Sequence, residues 1–401
     1  MSISGSTGTG PPALPDQQPT GPARRRLLRG LGVVAGVGLA APYVGAPPAA
    51  AATPAALPWV GPAGSGAPFE VDPAVGAQAA INAALTAAGQ GAVLVAGSTY
   101  PVKAPVILGD QQTLIGAGPL STVLHAVPGF TGSAMVTTPP GTFTGSRMCV
   151  RDIGLAAAGL AGTGVNLQIS AKPSSYAPDP APWLCRVFVT NTTSDGIYLG
   201  GAYSGGQREF KVTECRVENA GGWAYHFDSS DGFAGGCSAQ GGAAGGYLLA
   251  GGNTKVWGCK AYGTGSGSTP GPAFRLSAAR ATVVGCEAQD TWGCGYEVLG
   301  RCSTLSGCTA DSTGIGAAGT DRYSAGFYVA ASAVSISGNA YQRASGGASW
   351  LGATGMRWSL YLASGVDHVM IQLVADPNRP SPYQGGWTGA TATNSAVTVL
   401  A

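Results

Sequence analysis

The sequence predicts an all-β solenoid: stacked coils of three short strands each, with a shortest repeat of 22 residues. Three observations predict it. Between Cys185 and Asn339, an aromatic residue is followed twelve positions later by a small polar one five times: Tyr225→Cys237, Tyr247→Cys259, Phe274→Cys286, Tyr296→Cys308 and Phe327→Asn339. The return leg varies. It is 10 for Cys215→Tyr225, Cys237→Tyr247 and Cys286→Tyr296, 15 for Cys259→Phe274 and 19 for Cys308→Phe327. One leg is fixed and the other takes insertions, as in a solenoid whose units bury their apolar sides against one another. Finally, runs such as "GYLLAGGNTKVWGCKAYG" and "GYEVLGRCSTLSGCTADS" are short, β-branched or aromatic, and bounded by Gly, Ser, Thr and Asn. They lack a Leu ladder and a 3.6-residue period, so they read as strands joined by tight turns.

At this point the chain resembles the right-handed parallel β-helix proteins of the pectate lyase-like superfamily, over residues 68–372. The resemblance implies a single-stranded right-handed parallel β-helix, and it is specific for the fold rather than for one activity. "AINAALTAAGQGAVLVAGSTYPVKAPVIL" resembles the entry segment of such proteins, a lid helix followed by the first strands.

Composition fits stacked coils. The 401 residues include 66 Gly and are 10% charged, as turns with positive φ and small inner rows require. Residues 1–52 read as an export signal: a basic segment, an apolar run and an Ala-rich end. Arg24-Arg25-Arg26-Leu27-Leu28-Arg29 resembles a twin-arginine signal, so the mature protein is expected outside the cytoplasm, without a membrane anchor. Removing those four arginines and Asp16 takes 21 Lys+Arg and 19 Asp+Glu to 17 and 18, a balance of −1. With no basic run outside the leader, nucleic acid is not expected as a partner.

Residues 53–67 read as a linker. Asp72 and Pro73 are placed to open a lid helix over about 73–88, as N-cap and first helical residue, with Val75, Ile81 and Leu85 facing the core and a stop at Gly89. Early coils follow at Val93–Val95, Val106–Leu108, Thr113–Ile115 and Val123–His125. Ile153 takes the Cys place in the first coil of the later style. Residues 373–401 read as a C-terminal cap or tail. Cys185, Cys215, Cys237, Cys259, Cys286 and Cys308 form an interior thiol ladder, since stacked strands ~4.8 Å apart hold Cβ atoms wider than a disulfide needs. Cys294 and Cys302 fall off the ladder and are the candidate bridge. His125, His368, Trp257 and Trp292 read as packing or surface residues. Gly314, Gly316 and Gly319 match GxGxxG without the strand-to-helix context of a dinucleotide site.

Strand alternation defines a functional row. Ile197, Tyr225, Tyr247, Phe274, Tyr296 and Phe327 point inward, and so do the residues two further on. The residues between them point out: Asn166, Tyr198, His226, Leu248, Arg275, Glu297 and Tyr328. Beside this column, Gly196, Ala224, Gly246, Ala273, Gly295 and Gly326 are expected as a smooth outer floor. The candidate catalytic residues are His226, Arg275, Glu297 and Asp228, with Asp228 orienting the imidazole. Tyr198, Tyr328 and Asn166 are the candidate substrate-binding residues. Their types suit proton abstraction beside a uronate carboxylate, so an extended polysaccharide is the expected partner and β-elimination the preferred chemistry.

Hydrolysis needs two carboxyl groups ~5–9.5 Å apart, and Asp228 and Glu297 stand ~14 Å apart by strand spacing. Asp311 or Asp321 is the alternative partner for Glu297. Thr193-Ser194-Asp195-Gly196-Ile197 resembles the Asn-Thr-Asp-Gly segment of polygalacturonase-like hydrolases, but the rest of that set is replaced by Trp223-Ala224 and Gly245-Gly246-Tyr247. On that basis Asp195 reads as a turn residue. The resemblance implies calcium as the candidate ion, and the carboxylate cluster of pectate lyases is not evident. A non-catalytic sugar-binding β-helix is the competing class.

Overall fold

The computed structural model describes residues 57–141, 143, 145–169, 182–201, 209–316, 322–343, 356–375, 384–389 and 394–400. The leader, Asp321 and Gly319 lie outside the described residues. Each central coil contributes three strands, for example Phe233–Gly235, Ser238–Gln240 and Gly245–Leu249. The third strands stack into an 11-stranded parallel sheet, from Val106–Ile107 to Gln384–Gly389. The first and second strands form two further walls. These are joined into one 20-stranded sheet where Cys149–Ala156, Trp183–Thr190 and Thr304–Asp311 run unbroken round a corner. The chain is a right-handed parallel β-helix.

Three columns of left-handed residues turn the coil. One runs through Asp152, Arg186, Glu214, Gly236 and Gly258, a second through Asn191, Asn219, Gly241 and Asp290, and a third through Asp231, Asn253, Arg280 and Cys302. Positive φ is cheap only for Gly and tolerable for Asn and Asp, so these residue types collect at the corners. Cys302 sits at such a corner and is exposed, while Cys294 is buried, and both are free thiols. The expected bridge between them does not form, because a corner residue points away from the interior.

The aromatic places stack as a pile of parallel rings. Centroid separations are 4.6 Å for Tyr225–Tyr247, 4.7 Å for Tyr247–Phe274, 5.0 Å for Phe274–Tyr296 and 4.9 Å for Tyr296–Phe327. Strand spacing imposes this distance, which lies within the favourable range for aromatic pairs. The buried tyrosine hydroxyls donate across the core, from Tyr225 to the Ser238 carbonyl at 3.0 Å and from Tyr247 to the Lys260 carbonyl at 3.3 Å. Cys215, Cys237, Cys259, Cys286 and Cys308 are buried free thiols. Two assignments to that ladder are corrected. Cys185 pairs with Arg151 and Thr213, and the ladder place in its coil belongs to Val187, opposite Ile153. In the last repeat an irregularity in the pairing puts Gly338 opposite Cys308, so Asn339 points out.

The small row is corrected too. Gly196, Ala224, Gly246, Ala273, Gly295 and Gly326 are buried, not an outer floor. A Cβ on Gly196 would stand 2.3 Å from Val217 Cγ1, and one on Gly246 2.8 Å from Ala261 Cβ. The third strand begins where two walls converge, and only hydrogen or methyl fits there.

The helix spans Ala77–Ala88 with Gly76 as N-cap and no side-chain cap. Asp72 instead closes the preceding turn, its carboxylate accepting the Ala74 N–H at 2.8 Å. Val75 is therefore outside the helix and exposed, whereas Ile81 and Leu85 are buried as expected. Helix amides satisfy the open end of the first coil. Asn82 Oδ1 accepts the Ile107 N–H at 2.9 Å, Asn82 Nδ2 donates to the Pro105 carbonyl at 3.1 Å, and Gln78 Oε1 accepts the Lys103 N–H at 3.0 Å. An uncovered sheet end would leave those groups without partners. Trp59–Gly61, within the expected linker, is already a strand and pairs with Ala92–Val95. At the other end Gln384–Gly389 and Ala396–Leu400 continue both sheets, so the segment expected as a cap or tail adds a strand to each.

Candidate functional site on the eleven-stranded wall

The outward residues of the third strands stand in one file. Asn166 pairs in register with Tyr198, Tyr198 with His226, His226 with Leu248, Leu248 with Arg275, Arg275 with Glu297, Glu297 with Tyr328, and Tyr328 with Tyr361. At ~4.8 Å per coil, Tyr198 to Tyr328 spans ~24 Å, the reach of an extended chain.

At one end His226 is held by Asp195, not by Asp228. His226 Nδ1 lies 2.8 Å from Asp195 Oδ2, and Asp195 Oδ1 accepts the Trp223 N–H at 2.8 Å. Asp195 occupies the corner of the preceding coil and reaches forward over Gly222, where a Cβ would stand 2.4 Å from Asp195 Oδ1. A carboxylate on Nδ1 fixes the proton there and leaves Nε2 unprotonated in the neutral ring. The Tyr198 ring meets the imidazole edge-on, with centroids 4.8 Å apart. Its hydroxyl donates to Asp228 Oδ2 at 3.4 Å. Burial, then the negative charge and hydrogen bond of Asp228, then the charge of Asp195, push the Tyr198 phenol above its ordinary value.

Further along, Arg275 Nε donates to Glu297 Oε2 in a close ion pair. Glu297 is only 3% exposed, while the Arg275 side chain is about a third exposed. The guanidinium also lies over the Trp223 ring, 5.2 Å from its centroid. Trp223 opens the strand that carries His226, so Arg275 leans back toward the imidazole end. Gly245 seats the indole, since a Cβ there would be 2.2 Å from Trp223 Cζ3. Tyr328, a candidate substrate-binding residue, is 8% exposed and packs with Cys294 and Ala325, while the Arg322 guanidinium lies 6.0 Å from its ring. Burial pushes the Cys294 thiol well up, and the nearby Glu297 adds to it. Back at the His226 end, one coil before Tyr198, Asn166 Oδ1 accepts from Gln168 Nε2 at 2.8 Å.

Asp311 belongs elsewhere. It lies on the large sheet beside Asp290, where Arg343 pairs with both carboxylates and Ser312 donates to Asp311 at 2.8 Å. It is therefore not the partner of Glu297. Among the described residues no three His, Cys, Asp or Glu side chains converge as a metal centre. The carboxylates of Asp195, Glu297, Asp290 and Asp311 each face a histidine or arginine, so they do not fit a calcium ion. Sequence reasoning missed Asp195 and Trp223 as members of the site. The available signal was their position, Asp195 at the corner one coil before His226 and Trp223 at the start of its strand.

Fold and column together define a right-handed parallel β-helix with one chemically furnished wall. No family model and no curated protein sequence matches the chain. Solved structures match its fold. The enzymatically active domain of tailspike protein 2 of bacteriophage CBA120 aligns with a TM-score of 0.61 at 15% identity, over 80% of this chain and 48% of that one. The tailspike of E. coli bacteriophage HK620, solved with a pentasaccharide, gives 0.56 at 13% identity, over 82% and 62%. The A-module of the Azotobacter vinelandii mannuronan C-5 epimerase AlgE6 gives 0.50 at 14% identity, over 80% and 94%. The chain thus spans less than two thirds of either tailspike, and at these identities the likeness is one of fold.

Proposed function

We propose that the chain binds an extended, uronate-containing polysaccharide along the Asn166–Tyr328 column and cleaves it by β-elimination. The observation that carries this reading is the Asp195–His226 contact at 2.8 Å beside the Tyr198 hydroxyl, with Arg275 leaning back over Trp223. His226 Nε2 removes the proton at C5 of the uronate. The electron pair forms the C4–C5 double bond, the C4–oxygen bond breaks, and the departing oxygen takes the proton of the Tyr198 hydroxyl. Arg275 neutralises the carboxylate that acidifies C5, as charge stabilisation in a poorly hydrated site requires. Glu297 holds that guanidinium in place. The solved neighbours named for an epimerase of mannuronan and for a pentasaccharide complex support a glycan as the partner. Action outside the cytoplasm, after removal of the leader in residues 1–52, belongs to the same reading.

The test is digestion of a panel of uronate polymers followed by ultraviolet absorbance, because only elimination creates an unsaturated product. New reducing ends without that absorbance would move the chemistry to hydrolysis. A second reading, binding without turnover, is favoured by the mutual satisfaction of Arg275 and Glu297. It predicts retention on the polymer with neither product.

A further inference from the structure

A different wall carries a stripe that the column above does not explain. The first strands of successive coils place Trp183, Lys211, Phe233 and Lys255 opposite one another in register, so aromatic and cation alternate at every coil. Trp183, Lys211 and Lys255 are exposed and Phe233 half-buried. One column over, Trp257 is 56% exposed and lies against Phe233, ring centroids 3.9 Å apart. The two rings meet above Gly235, where a Cβ would stand 2.7 Å from both Phe233 Cζ and Trp257 Nε1. Trp257 packs on Phe233, yet more than half of its surface is open to water. Trp183 and Lys211 also line a groove of about 450 Å³ with Arg151. Arg151 Nε is buried there without a hydrogen-bond partner, and the Asp152 carboxylate stands 3.9 Å away.

Charge at the outward strand positions of this wall has one sign. From Cys149 to Val284 its outward positions carry Arg151, Lys211 and Lys255 and no Asp or Glu. The adjacent carboxylates Asp152 and Glu214 sit at one corner, where Arg186 pairs with both, and Glu209 and Asp231 sit at the other, where Asp231 accepts from Asn253 Nδ2 at 2.6 Å. A flat apolar ring suits the apolar face of a pyranose, and a cation one coil away suits a carboxylate on the next sugar. Because the stripe runs along the solenoid axis, it fits a chain, not a single sugar. Past Lys255 the column continues as Thr282, Thr304 and Ser335, so the stripe is confined to four coils.

We propose that Trp183, Lys211, Phe233, Lys255 and Trp257 form a second glycan-binding face, specific for an acidic polysaccharide and separate from the His226 column. It stands whether or not that column turns over a substrate. Single-stranded nucleic acid is the less favoured occupant, because one cation on every second coil is sparse for a phosphate at each nucleotide.

Native electrophoresis of the full chain through gels containing polygalacturonate, alginate, neutral dextran or oligothymidylate tests the face. Retardation by an acidic glycan but not by dextran is expected. The pair Trp183→Ala and Trp257→Ala should weaken it about tenfold, the size typical of removing aromatic anchors. Lys211→Gln with Lys255→Gln should weaken it and flatten its salt dependence, while Lys260→Gln, a cation on the second-strand wall, leaves it unchanged. All these side chains are on the surface, and circular dichroism of each variant confirms folding. Absence of retardation by either acidic glycan, equal retardation in dextran, stronger retardation by oligothymidylate, or retardation untouched by both double variants overturns the proposal.

Discussion

The two faces of the third strands follow different rules, although one backbone carries both. Inward, Tyr225, Tyr247, Phe274, Tyr296 and Phe327 repeat with near-parallel rings, the interplanar angle never exceeding 10°. Outward, one residue along, Tyr198, His226, Leu248, Arg275, Glu297 and Tyr328 change chemistry at every coil. Inside, each ring has the same neighbours above and below, so the same residue class is optimal each time. Outside, no repeating partner exists, and side chains are free to differ. Repetition thus marks the scaffold, and departure from it marks the candidate site.

The sharpest break of that contrast is Tyr247→Ala. It removes the ring between Tyr225 and Phe274 and leaves the Lys260 carbonyl without its donor, and should cost about 3–5 kcal/mol. Urea denaturation would measure this, and a loss below about 1 kcal/mol would mean that the stack is not what holds the coils. On the outward face, the Arg275–Glu297 pair should respond asymmetrically. Arg275→Ala strands a carboxylate that is 3% exposed and should cost about 3 kcal/mol, whereas Glu297→Gln leaves an arginine that water already reaches and should cost less. Equal losses would contradict the burial difference.

Asp195→Asn should leave stability nearly unchanged but reduce turnover about 100-fold or more by releasing the imidazole. Asp228→Asn should cost less activity, since Asp228 reaches only the Tyr198 hydroxyl. The reverse order would restore Asp228 as the residue that orients His226. The smallest effect is spectroscopic. Tyr225, Tyr247 and Tyr296 are held in the phenol form by burial, far above the ordinary value, and should ionise only as the coils unfold. Tyr198 should ionise in the folded protein, above the ordinary value. Asp228→Asn should lower that midpoint while leaving it raised, because burial is the larger cause. Ultraviolet titration of the native protein separates the two classes.

Much of this was legible beforehand because a solenoid converts spacing into position. The twelve-residue leg identified the inward ring, and alternation then placed His226, Arg275 and Glu297 in one outward file. Spacing failed where the chain turned or converged. Spacing alone places Cys185 two residues off, because the left-handed Arg186 that marks the corner looks like any other residue in the sequence. Alternation puts the small row on the wrong side because it does not register how closely the next wall approaches.

The sequence by itself determined the coil, its period, its stacked interior and the order of side chains along the outer file. These follow from local alternation and repeated strand spacing. Only the tertiary structure decided which acid holds His226, that Trp223 bridges the two ends of the file, and that Trp257 lies open beside Phe233. Each of these is a meeting between coils, set by how far a corner side chain reaches and by the glycine that makes room for it.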